Sequence, residues 1–258
     1  MTDTDPTKPR GAAGIFITKG MTIAIPPGGL KIVEGADGTV STTLTLHLAM
    51  DMSLHWLRIA LDHARACEIA SDELRAIWKD GTSAVEIAAL EAGFRAGMQA
   101  CSAAAFTIDA FYATTKHYAP IPPDVVDVWR RNRTARAVQI AETLRLAFAI
   151  SEPKFHELRD ALDGLFMLRG EAVHPTGHPQ QAVHHPILAL AVERRLGIFN
   201  AENARRAANN ALAIMADLTS RPRAKGEQFR AYCERTKAEI APLVEEWLPG
   251  QRIDGPST

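Results

Sequence analysis

Several things are scarce in this chain: 3 cysteines in 258 residues, an aromatic content of 6%, and a net charge of only −1. Cys67, Cys101 and Cys233 are odd in number and far apart, which excludes a disulfide framework and a paired-cysteine metal knuckle and suits a reducing compartment. The near balance of 29 basic and 30 acidic residues removes the global attraction that a nucleic-acid coat protein would use, so any contact with RNA has to be local. No apolar run reaches the roughly 20 residues of a membrane-spanning helix. The most apolar stretch, Gly97 to Ala113, is broken by Gln99, Ser102, Thr107 and Asp109 and reads as a buried core helix, so no membrane partner is expected. The opening MTDTDPTKPR carries acids, unlike a secretory or organellar targeting segment, and a cytoplasmic location is expected. A glycine-rich phosphate loop, a GxSxG elbow, an HExxH pair and a Walker motif are all missing, and with them the commonest nucleotide, hydrolase and metalloprotease chemistries.

What is present is a globular composition, with 47% apolar residues and no long biased tract. Residues 1–10 and 249–258 mix proline, glycine and polar residues without periodicity and read as tails. Between Ile15 and Leu48, IFITKGMTIAI, PPGG, LKIV, a turn-like GADG and the alternating VSTTLTLHL predict a small β-hairpin or meander. So short a β-element rarely sustains its own core, so residues 1–50 are expected to lean on the body or on a partner's edge.

From Leu54 onward apolar residues recur every three or four positions, the mark of amphipathic helices. The predicted fold is all-α: an antiparallel helical bundle over residues 51–248, with helices near 53–69, 71–79, 83–117, 125–150, 153–172, 186–196, 200–219 and 226–247. Core seams read Leu90, Phe94, Met98, Cys101, Ala105, Ile108 and Tyr112 in the longest helix, and Phe229, Cys233, Thr236, Ile240, Leu243 and Trp247 in the last. The helix opened by Asn200 carries a small-residue edge, Ala204, Ala208, Ala211, Met215 and Leu218, that permits close approach of a neighbour. A proline-stiffened turn, APIPPD, and a longer break, PTGHPQQAVHHP, interrupt the helices.

The break follows the one motif with chemical promise. The helix starting at Pro153 has a stripe of Phe155, Leu158, Leu162 and Leu165, and the next position of that spacing is Arg169. A guanidinium on a core-facing stripe needs partners or the mouth of a cleft, because a dry unpaired charge is expensive. His174 follows five residues later, immediately before Pro175. On a continuous helix, residues five apart point about 140° away from each other. A residue before proline is driven out of the α region, so His174 should leave the helix and gain freedom to turn back toward Arg169.

Such a pair suits RNA cleavage without a metal. A histidine titrating near neutrality can take the proton of a 2′-hydroxyl or supply one to a leaving 5′-oxygen, and an arginine can hold the scissile phosphate. Spacing alone is weak, since chance supplies about two Arg/His pairs of this kind in a chain of this composition. The other, Arg58 with His63, lies within an unbroken helix where the side chains diverge.

In context, RGEAVH from Arg169 to His174, preceded by EPKFHELRDALDGLFML and followed by Pro175 and a further helix FNAENARRAANNALAIM, resembles the HEPN superfamily over roughly residues 83–220. These are all-helical domains bearing an arginine, four to six residues, then a histidine. The resemblance implies a homodimer whose two motifs share a cleft, a metal-independent endoribonuclease pair of Arg169 and His174 needing no cofactor, and a toxin–antitoxin or defence setting with RNA or a regulatory protein as partner. It equally allows a non-catalytic interaction module. Glu171 could orient His174 or pair with Arg169. Active relatives often have a polar residue directly after the arginine; here it is Gly170.

Four histidines, His174, His178, His184 and His185, crowd one segment and suggest a metal-binding alternative. Pro175, Pro179 and Pro186 argue against the helical spacing such a site would need, and a mobile loop over the cleft is the preferred reading. Basic clusters stand at Arg130, Arg131, Arg133 and Arg136, at Arg194 and Arg195, at Arg205 and Arg206, and at Arg221, Arg223 and Lys225. Most such runs are solvated helix faces, and Trp129 beside Arg130 is the one clear aromatic–basic pairing.

Overall fold

A computed structural model describes residues 17, 18, 20–79, 81, 83–119, 121–174, 178, 180–221 and 226–247. The tails read at 1–10 and 249–258, and Arg223 and Lys225, lie outside the described residues. The chain divides into two compact units, Met1–Asp51 and Met52–Thr258.

The first unit is a two-section β-ribbon. Strands β1 (Met21–Ala24) and β4 (His47–Met50) pair antiparallel, as do β2 (Leu30–Glu34) and β3 (Val40–Leu44), so the chain runs out and back as one long hairpin. Its tip is the GADG turn. Gly38 takes a positive φ of 78°, and the Asp37 carboxylate accepts from the Thr39 hydroxyl at 2.6 Å and its N–H at 3.1 Å. Those bonds hold the Asp37 carboxyl below its ordinary pKa. Opposed residues share a face, so Met21, Met50, Ile23 and Leu48 gather on one side of the first section, and Leu30, Leu44, Ile32 and Val40 on one side of the second. Alternation produces these faces, as the Thr–Leu pattern predicts.

The second unit is helical: α1 (Ser53–Ile77), α2 (Ala84–Thr115), α3 (Pro123–Arg131), α4 (Arg136–Phe148), α5 (Glu152–Val173), α6 (Arg194–Ile198), α7 (Ala201–Thr219) and α8 (Glu227–Trp247). With the strand pairs of both units, the chain is predominantly α. Helix α2 is the hub, packing against α1, α4, α5 and α7. It starts at a capping box in which Ser83 Oγ accepts from the Glu86 N–H while the buried Glu86 carboxylate accepts from the N–H groups of Ser83 and Lys79. Most of the predicted seams are inside: Cys101, Ala105, Ile108 and Tyr112 of α2, Ala204, Ala208, Ala211, Met215 and Leu218 of α7, and Phe229, Cys233, Thr236, Ile240 and Leu243 of α8 are buried, whereas Leu90, Phe94, Met98 and Trp247 are only half-buried. Gly97 marks the tightest approach, since a Cβ there would stand 2.5 Å from the carbonyl oxygen of Phe199 just ahead of α7.

Three helix expectations are corrected. The helices expected at 53–69 and 71–79 are one, α1; Ala70 and Ser71 are buried within it and no breaker intervenes. The helix expected at 125–150 is interrupted at residues 132–135, where Arg133 adopts φ 51°. The helix expected at 186–196 is replaced by a short ladder of β5 (Val183–His184) and β6 (Ala191–Val192), with α6 only from Arg194. Instead a single turn follows Pro186, the Ala189 N–H donating to the His185 carbonyl, and it ends where Ala189 takes φ 54° and the chain turns back into β6.

Candidate functional site

Helix α5 buries Phe155, Leu158, Leu162 and Leu165 against the hub, and the same stripe delivers Arg169 to the bundle flank. The guanidinium lies over the Phe106 ring of α2, 5.3 Å from its centroid, and Phe106 packs in turn on Trp56 of α1 at 5.0 Å. A cation over an aromatic face gains about 0.5–2 kcal/mol but gives the N–H groups no acceptor. Among the described residues Arg169 has no carboxylate partner, and its Nε is sealed from water without a hydrogen bond. The positive charge is thus half-buried and uncompensated, a condition that favours any anion able to reach it.

His174 does leave the helix. It caps α5 with φ −114° and ψ 89°, its N–H donating to the Gly170 carbonyl at 2.9 Å, and its side chain is exposed. No hydrogen bond, ion pair or ring contact joins it to Arg169 among the described residues. Glu171 goes elsewhere: it accepts from Arg194 Nε of α6 at 3.4 Å, tethering the end of α5 to the segment before α7. A Cβ at Gly170 would meet nothing within 4 Å, so there is room for the side chain the motif lacks.

The four histidines do not form a metal cluster. No three His, Cys, Asp or Glu side chains gather as a metal site among the described residues. His174, His178 and His184 are exposed, whereas His185 is buried and spends Nδ1 on backbone N–H groups. The loop reading therefore fails for His184, which sits in β5, and for His185, which is locked in its turn. Pro175 to Gly177 and Pro179 lie outside the described residues.

Most of the basic clusters are neutralised locally. Arg130 pairs with Asp127, Arg136 with Asp109, Arg195 with Glu193, Arg205 with Glu68, Arg206 with Glu202 and Arg221 with Asp217. Arg136 also stacks on Tyr112 at 4.3 Å. The discarded pair stays inside continuous α1, where Arg58 reaches Glu246 at 2.7 Å. The three thiols are buried and their pKa values are raised by desolvation, Cys67 to about 11, Cys101 to about 12 and Cys233 to about 11, so none is a ready nucleophile. Among the described residues no helix is long and apolar enough to cross a membrane.

The support of Arg169 by Phe106 was missed in the sequence, since the two stand on different helices and neither residue's neighbourhood points to the other. The fold and site thus define a predominantly helical protein with an arginine on its flank that no described residue neutralises. Compared with family models, curated proteins and solved structures, the chain has no significant match.

Proposed function

We infer that this chain is a HEPN-like protein that binds RNA through Arg169 and cleaves it without a metal, His174 acting as general acid and base in a cleft completed by a second copy. The observation that carries this reading is Arg169, a guanidinium on a leucine stripe with a sealed Nε and no counterion among the described residues. In such a site the phosphate oxygens would accept from Arg169, the 2′-hydroxyl would lose its proton to one His174, and the other copy's imidazolium would protonate the departing 5′-oxygen. The products would be a 2′,3′-cyclic phosphate and a 5′-hydroxyl.

The experiment is an RNase assay of the purified chain in EDTA, with product ends analysed. His174→Ala should reduce cleavage by about 10²–10⁴-fold and Arg169→Ala by about 10²–10³-fold. Sedimentation should show a dimer. Absence of cutting by the native chain on several RNAs would end the nuclease reading.

A second reading, a non-catalytic module binding RNA, a nucleotide or a regulatory protein at the same arginine, is favoured by one observation. Among the described residues the His174 ring has no partner to orient it, and the acid three places before it in the chain, Glu171, is taken by Arg194. RNA binding lost in Arg169→Ala but kept in His174→Ala, with no cleavage, is its signature.

A further inference from the structure

Away from Arg169, a cleft of about 160 Å³ lies between the end of α1, the start of α2 and the opening of α7. An apolar cavity of about 150 Å³ is enough to take a benzene ring. Much of its wall is apolar, from Leu74, Leu90, Phe94, Ile187, Leu196 and Phe199.

His185, only 5% exposed, lines this cleft. Its Nδ1 accepts from the N–H groups of Ile187 and Leu188, at 3.2 and 3.3 Å, which fixes the hydrogen of the neutral ring on Nε2. Burial, with His184 next to it, lowers the ring's pKa and keeps it neutral. Among the described residues Nε2 has no acceptor, and the ring lines the cleft. The ring is held rigidly by one nitrogen and offers the other.

Facing the same cleft is the first turn of α7. Asn200 Oδ1 caps the Asn203 N–H, leaving the N–H groups of Ala201 and Glu202 without acceptors among the described residues, at the positive end of a 19-residue helix. Arg75 stands at the wall, paired with Asp72 at 2.5 Å. Glu202 is the acid lining the cleft, and it is paired with Arg206 at 2.7 Å. A ligand fitted to this wall presents acceptors and a negative charge at one end and carbon at the other.

We propose that this cleft binds a small monocarboxylate with an apolar body, its carboxylate accepting from His185 Nε2 and the opening N–H groups of α7, its body lying against Leu90, Phe94 and Phe199. The site is independent of Arg169 and of any nuclease activity.

The probe is benzoate, titrated into the intact chain by calorimetry and by NMR of the histidine ring protons. One-site saturable binding is expected, with the His185 signals moving. Benzyl alcohol, the same ring without the charge, should bind at least tenfold more weakly. His185→Asn keeps an oxygen where Nδ1 accepts but has nothing at Nε2, and should also weaken benzoate at least tenfold. Ala89→Leu places a larger side chain on the half-buried α2 wall and should do the same with the turn untouched. If His185→Asn does not melt like the native protein, Ala89→Leu decides. No saturable binding at millimolar benzoate, binding unchanged in the folded variants, or binding lost instead in Arg169→Ala would each overturn the proposal.

Discussion

In the helical unit Leu57, Ile108, Phe111 and Leu144 are wholly removed from water, whereas in the ribbon Ile32 and Val40 are each 65% exposed and Val33 57%. Both units obey their hydrophobic period, 3.6 residues in one and two in the other. A helix stripe meets other stripes around α2 and closes a core. The two-stranded ribbon has apolar faces with no third layer of its own, so backbone pairing and the Asp37–Thr39 turn hold it together. Equal patterning thus yields unequal burial, and the energetic weight of a residue follows the burial.

That contrast can be broken or sharpened by substitution. Phe111→Ala should cost about 3–5 kcal/mol in urea unfolding, since the ring is 0% exposed and stacks near Phe148 and Tyr232; a loss as small as that of a surface residue would refute the core described. Arg169→Leu completes the α5 stripe and should leave stability unchanged or raise it by about 1 kcal/mol, while abolishing the RNA binding proposed at this arginine. A large loss of stability would make Arg169 a structural residue.

The acid limb of stability should carry a contribution from His185. Because burial holds its pKa below the ordinary 6.5, the unfolded chain binds more protons than the native one as pH falls. The stabilisation is full above pH 6.5 and declines as the pH drops through and below that value. His185→Asn should flatten this limb in denaturant titrations taken at successive pH values. Smallest of all, Ile32→Ser on the ribbon should shift unfolding of the helical unit by less than about 0.5 kcal/mol. A larger shift would show that the exposed face contributes to stability after all.

The core was widely legible because seams repeat. Phe155, Leu158, Leu162 and Leu165 announce α5, and small residues from Ala204 to Ala211 announce the close approach of α7. His174 leaving the helix was legible from Pro175, a local steric effect. The split at residues 132–135 was not, because Arg133 in a left-handed conformation is not a glycine and no proline marks the place. The segment 186–196 misled for a related reason. Its apolar run, ILALAV, suits helix or strand, and the choice fell to Ala189, which takes a left-handed φ of 54° with no glycine to mark it and turns the chain back onto β5.

Of the candidate site, the sequence alone singled out Arg169, because a cation interrupting a leucine stripe is visible in one dimension. It equally determined the helical character of the body, the ribbon's alternating faces and the exit of His174, all consequences of local sterics and periodicity. Only the tertiary structure decided what those residues meet: Phe106 beneath Arg169, Arg194 against Glu171, and the cleft around His185. Each of these joins segments far apart in the chain or depends on which nitrogen of a ring is already engaged. Such relations arise from packing, and no local pattern of residues encodes them.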